Sequence, residues 1–230
     1  MDSTESFPLA KKRAYVHPDF PKRPLEQLRQ DADKFNLDDH LVNLLFNEPF
    51  YADIIRSLHK EKTENISTAG VAYTNEVMKM WWNPLFLAAY NSDQVRGILK
   101  HEALHLALEH TTTRRYKPHL AWNWATDLAI NSTLTDAEMP PCGLKPGKAF
   151  SPPHDYETWP QDRQALHKKL SALIESLPLD LSGEEYFGML MENEDFKEMM
   201  KGQKGPKGPK GPKGRNQSLR CWTICCATRF

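Results

Sequence analysis

Cysteine is scarce in this chain, with four among 230 residues. Cys142 stands alone, and Cys221, Cys225 and Cys226 crowd together near the end with no second pair at zinc-finger spacing. A disulfide scaffold and a cysteine-ligated zinc finger are thereby excluded, and the thiols read as incidental. No apolar run approaches the roughly 20 residues that span a bilayer, so no membrane partner is expected. The start, Met1-Asp2-Ser3-Thr4-Glu5, lacks the basic-then-apolar pattern of a signal peptide, and a cytoplasmic location is expected. Net charge is also missing, because 30 Lys/Arg balance 30 Asp/Glu. The balance is uneven. Residues 201–230 hold eight basic residues and no acid, which leaves 22 basic against 30 acidic residues, a net of −8, in the rest. Within that tail Gly205-Pro206-Lys207 recurs as Gly208-Pro209-Lys210 and Gly211-Pro212-Lys213. The run is too short for a collagen helix and reads as a disordered basic linker. It carries no aromatic residue before Trp222, so specific nucleic-acid binding is not expected.

What is present is a five-residue run, His101-Glu102-Ala103-Leu104-His105. On a helix, positions i and i+4 differ by about 40° in azimuth, so both imidazoles can aim at one point. A carboxylate beside the first of them completes the H-E-x-x-H pattern, two metal ligands plus the base that activates water. The flanks predict a helix. Asn91 and Ser92 are N-cap candidates and Asp93 places negative charge in the first turn. Val95, Ile98, Leu99, Ala103, Leu106 and Leu108 supply an apolar face. The pattern continues to Glu109-His110 and fails at Thr111-Thr112-Thr113, with Arg114 and Arg115 suited to a helix end and Pro118 marking a break.

A catalytic zinc takes three protein ligands and keeps one position open. The next apolar-patterned segment, Leu120 to about Leu134, carries Asn123, Asp127 and Asn131 at four-residue spacing on one face. If the two helices form an antiparallel hairpin turning near Tyr116, seven residues up from His105 and seven back from Leu120 cover about 10 Å each. Asp127 then arrives level with His105, and Asn131 faces His101. Asp127 is the expected third ligand, and Asn123 and Asn131 are second-shell candidates that orient ligands. His110, nine residues after His101, falls about 180° round the helix and is expected to point away. His119, in the connecting loop, stays open as a ligand. His17, His40, His59, His154 and His167 lack ligand spacing and are expected in surface or core roles.

These residues resemble a known family, the putative metallopeptidase domain often followed by a VWA-like domain. The likeness rests on Asn83-Pro84, on Leu99-Lys100-His101-Glu102-Ala103-Leu104-His105, and on Trp122-Asn123 with Asp127-Leu128-Ala129-Ile130-Asn131. Pro140-Pro141 and Ser182-Gly183-Glu184-Glu185-Tyr186-Phe187 add to it, and the whole covers about Leu25 to Glu194. The resemblance implies a zinc-dependent hydrolase with His101, His105 and Asp127 as ligands. No VWA-like half is legible here, so a separate VWA-like domain protein is an expected partner.

The rest of the chain reads as an arm over residues 1–24, a metallopeptidase domain over 25–200 and the tail over 201–230. Helices are predicted at Leu25 to Phe35, at Asp39 to Leu58 with a break or bend near Pro49, at Gln164 to Ser176 and at Ser182 to Met200. Ser182 and Glu185 form a capping box. Ile66 to Tyr73 and Val77 to Trp82 read as strands whose edge can take an extended peptide, and Trp81-Trp82 as ordinary core. Residues 140–165 read as a loop walling the cleft, with His154 or Tyr156 as unassigned oxyanion candidates. The expected class is α+β, a mainly helical zincin-like domain with a small β-hairpin or sheet beside the motif helix, and a disordered basic tail. The expected activity is hydrolysis of a peptide or protein substrate by zinc and Glu102. The rival is a non-catalytic zinc-stabilised module that binds a partner.

Overall fold

Apolar residues at helical spacing, punctuated by Asn, Pro and Ser caps, build most of this molecule. The computed structural model describes residues 23–74, 76–141, 143–152 and 156–202. Helix α1 (Leu25–Lys34) is followed by α2 (Leu37–Asn47), whose N-cap Asn36 accepts a bond from the Asp38 amide. Pro49 occupies the first turn of α3 (Pro49–Arg56), where its missing N–H costs nothing. The predicted bend near Pro49 is therefore a full break between two helices. Strands β1 (His59–Lys62), β2 (Ala69–Thr74) and β3 (Val77–Trp82) form a mixed sheet of order β1-β3-β2. β2 pairs antiparallel with β3, Val71 opposite Met80, and β1 pairs parallel with β3, Lys60 opposite Met80. The sequence did not predict β1, since His-Lys-Glu-Lys has no strand-like composition. Its place comes from pairing with β3 and from contacts on both sides of the chain, near and far. Lys60 Nζ donates to the carbonyls of Ile55 (3.2 Å), Arg56 (3.2 Å) and Leu58 (3.0 Å) at the end of α3, and Trp81 Nε1 donates to Glu61 at 3.2 Å.

A short α4 (Pro84–Leu87) leads to α5 (Ser92–Ala107), which carries the motif, and α6 (His119–Thr133) returns beside it. A 3₁₀ turn at Tyr156–Thr158 precedes α7 (Gln161–Ser176), α8 (Gly183–Glu192) and α9 (Glu194–Gly202). The one helix expected from Ser182 to Met200 breaks at Asn193, whose Oδ1 accepts from the Phe196 amide at 2.9 Å. α9 runs on through Lys201 and Gly202, the first two residues of the stretch read as tail. Arg23, placed in the arm, is held by Asp31 at 2.5 Å and by the Ala89 carbonyl at 3.0 Å. Residues 1–22 and 203–230, which include the three tail cysteines, lie outside the described residues, as do Cys142, His154 and Asp155. Among the described residues no helix is long and apolar enough to cross a membrane.

Among the described residues two large apolar cores and a small cluster of Leu28, Ala32 and Leu85 make up the buried interior. The first gathers α2, α3, the sheet (Val71, Met80, Trp82), Phe86 and Leu87, and one face of α5 (Val95, Ile98, Leu99, Ala103). The second gathers α6 (Trp122, Trp124, Ala125, Leu128), Leu144, Phe150 and α7 to α9 (Leu170, Ile174, Tyr186, Leu190, Phe196). α5 and α6 thus bury apolar faces in opposite directions, and their remaining faces meet in the seam between the cores. The class is α+β, mainly helical with one small sheet, as the patterning predicts.

Candidate metal centre

Local capping sets the start of α5. Asn91 Oδ1 accepts from the Gln94 amide (2.9 Å) and Gln94 Oε1 accepts from the Asn91 amide (3.2 Å), a capping box that fixes the register from its first turn. Two turns on, His101 and His105 are fully buried, with Glu102 1% and Asp127 2% exposed. The Nε2 atoms of His101 and His105 stand 2.9 Å apart. Asp127 Oδ1 lies 3.5 Å from the first and 3.2 Å from the second, so the antiparallel arrangement places Asp127 level with His105. Among the described residues these three form the one group of His, Cys, Asp or Glu side chains disposed to hold a metal.

Asn131 settles the tautomer of His101. Its Nδ2 donates to the Leu144 carbonyl at 2.7 Å, so its Oδ1 faces His101 Nδ1 at 2.8 Å. That nitrogen carries a proton, so in the neutral ring Nε2 is bare. The two Nε2 atoms stand 2.9 Å apart, so if both are bare they repel unless a cation lies among them. Asp127 Oδ1 is buried with no hydrogen bond of acceptable geometry, although it is close to both rings. Ligand atoms arranged tetrahedrally about 2.0–2.1 Å from one centre are roughly 3.3 Å apart. The three separations here scatter about that value, and the donor set fits a divalent metal.

Side-chain electrostatics agree. Burial opposes protonation of His101, yet the Asp127 carboxylate, with Glu102 and Asn131, holds its pKa above the ordinary value. Burial and the neighbouring His101 charge push His105 down to about 4. Asp127 is held below its usual range against burial, through its two histidines. Burial raises Glu102 to about 8, with the Asp127 charge adding and His101 and the Val71 amide opposing. A cation among these groups reverses that order, expelling the histidine proton and drawing Glu102 towards ionisation. The Val71 amide of β2 donates to the Glu102 carboxylate, while Glu102 Oε2 has no hydrogen-bond partner among the described residues.

One sequence expectation changes, that for His110, and the structure also places His119 and Asn123. His110 does not point away. α5 ends at Ala107, Glu109 adopts φ 59°, and the chain turns back so that His110 Nδ1 sits 3.2 Å from His105 Nδ1. A helical azimuth extended past Ala107 has no meaning, and the residue at the turn is Glu rather than the Gly that usually announces it. His119 opens α6 exposed on the surface, about 12 Å along the helix from Asp127, and is not in the group. Among the described residues Asn123 Oδ1 is buried without a partner, and no hydrogen bond joins it to His101, His105 or Asp127. Elsewhere His40 stacks on Phe35 (4.9 Å) and His167 is buried against Phe150 (4.6 Å). Tyr156 Oη donates to the Gln164 carbonyl at 3.1 Å. Sequence reasoning missed the Val71 amide as well as His110; no side-chain signal marks a backbone donor.

A family model described as a putative metallopeptidase domain matches residues 35–228, beginning and ending later than the stretch of likeness read from the residues. No curated protein and no solved structure gives a match.

Proposed function

The chain belongs to the putative metallopeptidase domain family, and from that premise we propose that it is a zinc-dependent peptidase built on His101, His105, Asp127 and Glu102. One observation carries the reading: three buried ligand atoms within 4.8 Å of one another sit beside a carboxylate with an unpartnered oxygen. Two imidazoles and a carboxylate are a donor set that zinc favours. A zinc ion held there supplies Lewis acidity, polarising a peptide carbonyl and acidifying water. The chain's own groups do the rest. His101 and His105 present Nε2, and Asp127 supplies the third ligand atom and negative charge. Glu102 lies about 100° round the helix from His101, and the Val71 amide holds its carboxylate, so it stays outside the ligand set. Its Oε2 accepts the proton of the attacking water and returns it to the departing amine. β2 is an edge strand whose Val71 amide reaches Glu102, so an extended peptide added along that edge passes the base.

The test pairs metal analysis of the purified chain with cleavage of casein and a peptide library, with and without chelator. Glu102→Gln is expected to keep one zinc per chain while cleavage falls by roughly 10²-fold or more. Activity equal to the parent's in that variant sinks the mechanism. A second reading, a non-catalytic zinc-stabilised module, is favoured by the burial of all four residues, none more than 2% exposed. Stoichiometric zinc with no cleavage of any substrate supports that reading instead.

A further inference from the structure

The end of α5 does more than stop a helix. The His110 amide donates to the His105 carbonyl (2.9 Å) and the Glu109 amide to the Leu106 carbonyl (3.0 Å), with Glu109 at φ 59°. These two bonds around a left-handed residue are the Schellman arrangement, in which the second residue past the cap folds back over the third residue from the helix end. Here those two residues are His110 and His105. The contact usually made by apolar side chains is made by two imidazoles, Nδ1 to Nδ1 at 3.2 Å, ring centroids 5.4 Å apart. His110 is 1% exposed and packs edge-on against Trp122 at 5.8 Å. Trp122 is itself pinned by its Nε1 bond to the Arg114 carbonyl at 2.9 Å.

We infer that His110 is the positioning residue for His105, accepting a hydrogen bond from His105 Nδ1–H and so keeping His105 Nε2 bare for the metal. The inference rests on the metal reading above. Only one proton fits between the two Nδ1 atoms, and its owner decides what the site can do. If His105 owns it, Nε2 carries a lone pair and ligates, and the His110 proton sits on its own Nε2. If His110 owns it, a neutral His105 must be protonated on Nε2 and is lost as a ligand. His105 turns its Nε2 to Asp127 and its Nδ1 to His110, so the two partners occupy different edges of one ring. His110 is thereby an outer partner rather than a fourth ligand. Each histidine ligand has its own acceptor: Asn131 from α6 for His101, and His110 from the helix-ending turn for His105.

The experiment uses the full chain. Zinc affinity is measured by competition with a chromophoric chelator for the parent, His110→Phe and His110→Asn, and ring nitrogens are read by NMR of the zinc-loaded, ¹⁵N-histidine-labelled parent. Phenylalanine keeps the shape without an acceptor and is expected to weaken zinc binding roughly 10–100-fold. Asparagine restores an acceptor oxygen near the Nδ1 position and is expected to recover most of that loss, which a packing role alone does not predict. The spectrum is expected to show His110 bare at Nδ1 and protonated at Nε2. Parent-like zinc affinity in His110→Phe, or a proton on His110 Nδ1, overturns the inference and leaves the metal reading standing. A parent that binds no zinc overturns both. The spectrum is read on the parent, so the question is decided even where His110→Phe fails to fold.

Discussion

Gly97 shows how one missing atom shapes the neighbourhood of the centre. It lies one turn before His101 on α5, where a Cβ would stand 2.1 Å from the Glu138 carbonyl oxygen and 2.8 Å from its carbonyl carbon. That neighbour is backbone, so it cannot swing aside. Alanine is the better helix former by about 1 kcal/mol, but the clash decides the sign. Gly97→Ala is expected to lower stability by roughly 1–3 kcal/mol in urea unfolding, and an unchanged or raised midpoint contradicts the packing described. The close approach lets the turn at 135–139 deliver the Glu138 side chain to Lys100, immediately before His101. Lys100 Nζ lies 2.8 Å from Glu138 and 2.9 Å from Glu48, its ammonium over the Tyr51 ring at 5.3 Å. A buried ammonium with two carboxylates and an aromatic face is satisfied, so Lys100 anchors α5 rather than taking part in chemistry.

At the scale of elements, the join between α5 and the 135–139 turn is sensitive to pH. Burial pushes Glu138 up, but Lys100 and the amide and hydroxyl of Thr135 outweigh it and hold the pKa at about 2, against 4.5 ordinarily. The folded state therefore binds this proton less readily than the unfolded chain. Its contribution, on the order of 2–3 kcal/mol, is complete above pH 4.5 and is lost as pH falls through about 2. The stability gap between the parent and Glu138→Gln is expected to close across that window in urea titrations; a gap independent of pH refutes the assignment. The cap of α5 offers a second test. Glu109 holds φ 59°, a region that glycine enters without strain. Glu109→Gly is expected to preserve zinc affinity and raise stability by up to about 1 kcal/mol, and a weakened affinity argues that the Glu109 side chain, not the turn, supports His105.

For the whole molecule, the candidate centre bridges two separately packed cores. His101 and His105 ride on a helix whose apolar face belongs to the first, and Asp127 on one whose apolar face belongs to the second. A metal bound only by the folded arrangement stabilises it by about RT ln(1 + [L]/Kd), near 2.7 kcal/mol at a hundredfold excess over Kd. Chelation is thus expected to lower the thermal midpoint of the parent by several degrees and to leave that of Asp127→Ala unmoved. Equal chelator sensitivity in both chains removes Asp127 from the ligand set. The burial of the cluster follows from the same seam, since each helix screens the polar face of the other.

Features governed by local spacing were legible before any coordinates. Two histidines one turn apart, the Asn91 cap, and the fixed rise that sets Asp127 level with His105 and Asn131 beside His101 all follow from helical geometry, which does not depend on what packs around it. The tertiary structure alone decided where that geometry stops. β1 is a strand because it pairs with β3, some 20 residues on, where Glu61 meets Trp81. His110 faces His105 because Glu109 turns left-handed without a glycine to announce it. Val71 reaches Glu102 through a backbone amide, which carries no residue identity to read. Periodicity propagates along a continuous element, whereas terminations and long-range pairings are settled by groups distant in the chain, and a sequence pattern holds no ruler for those.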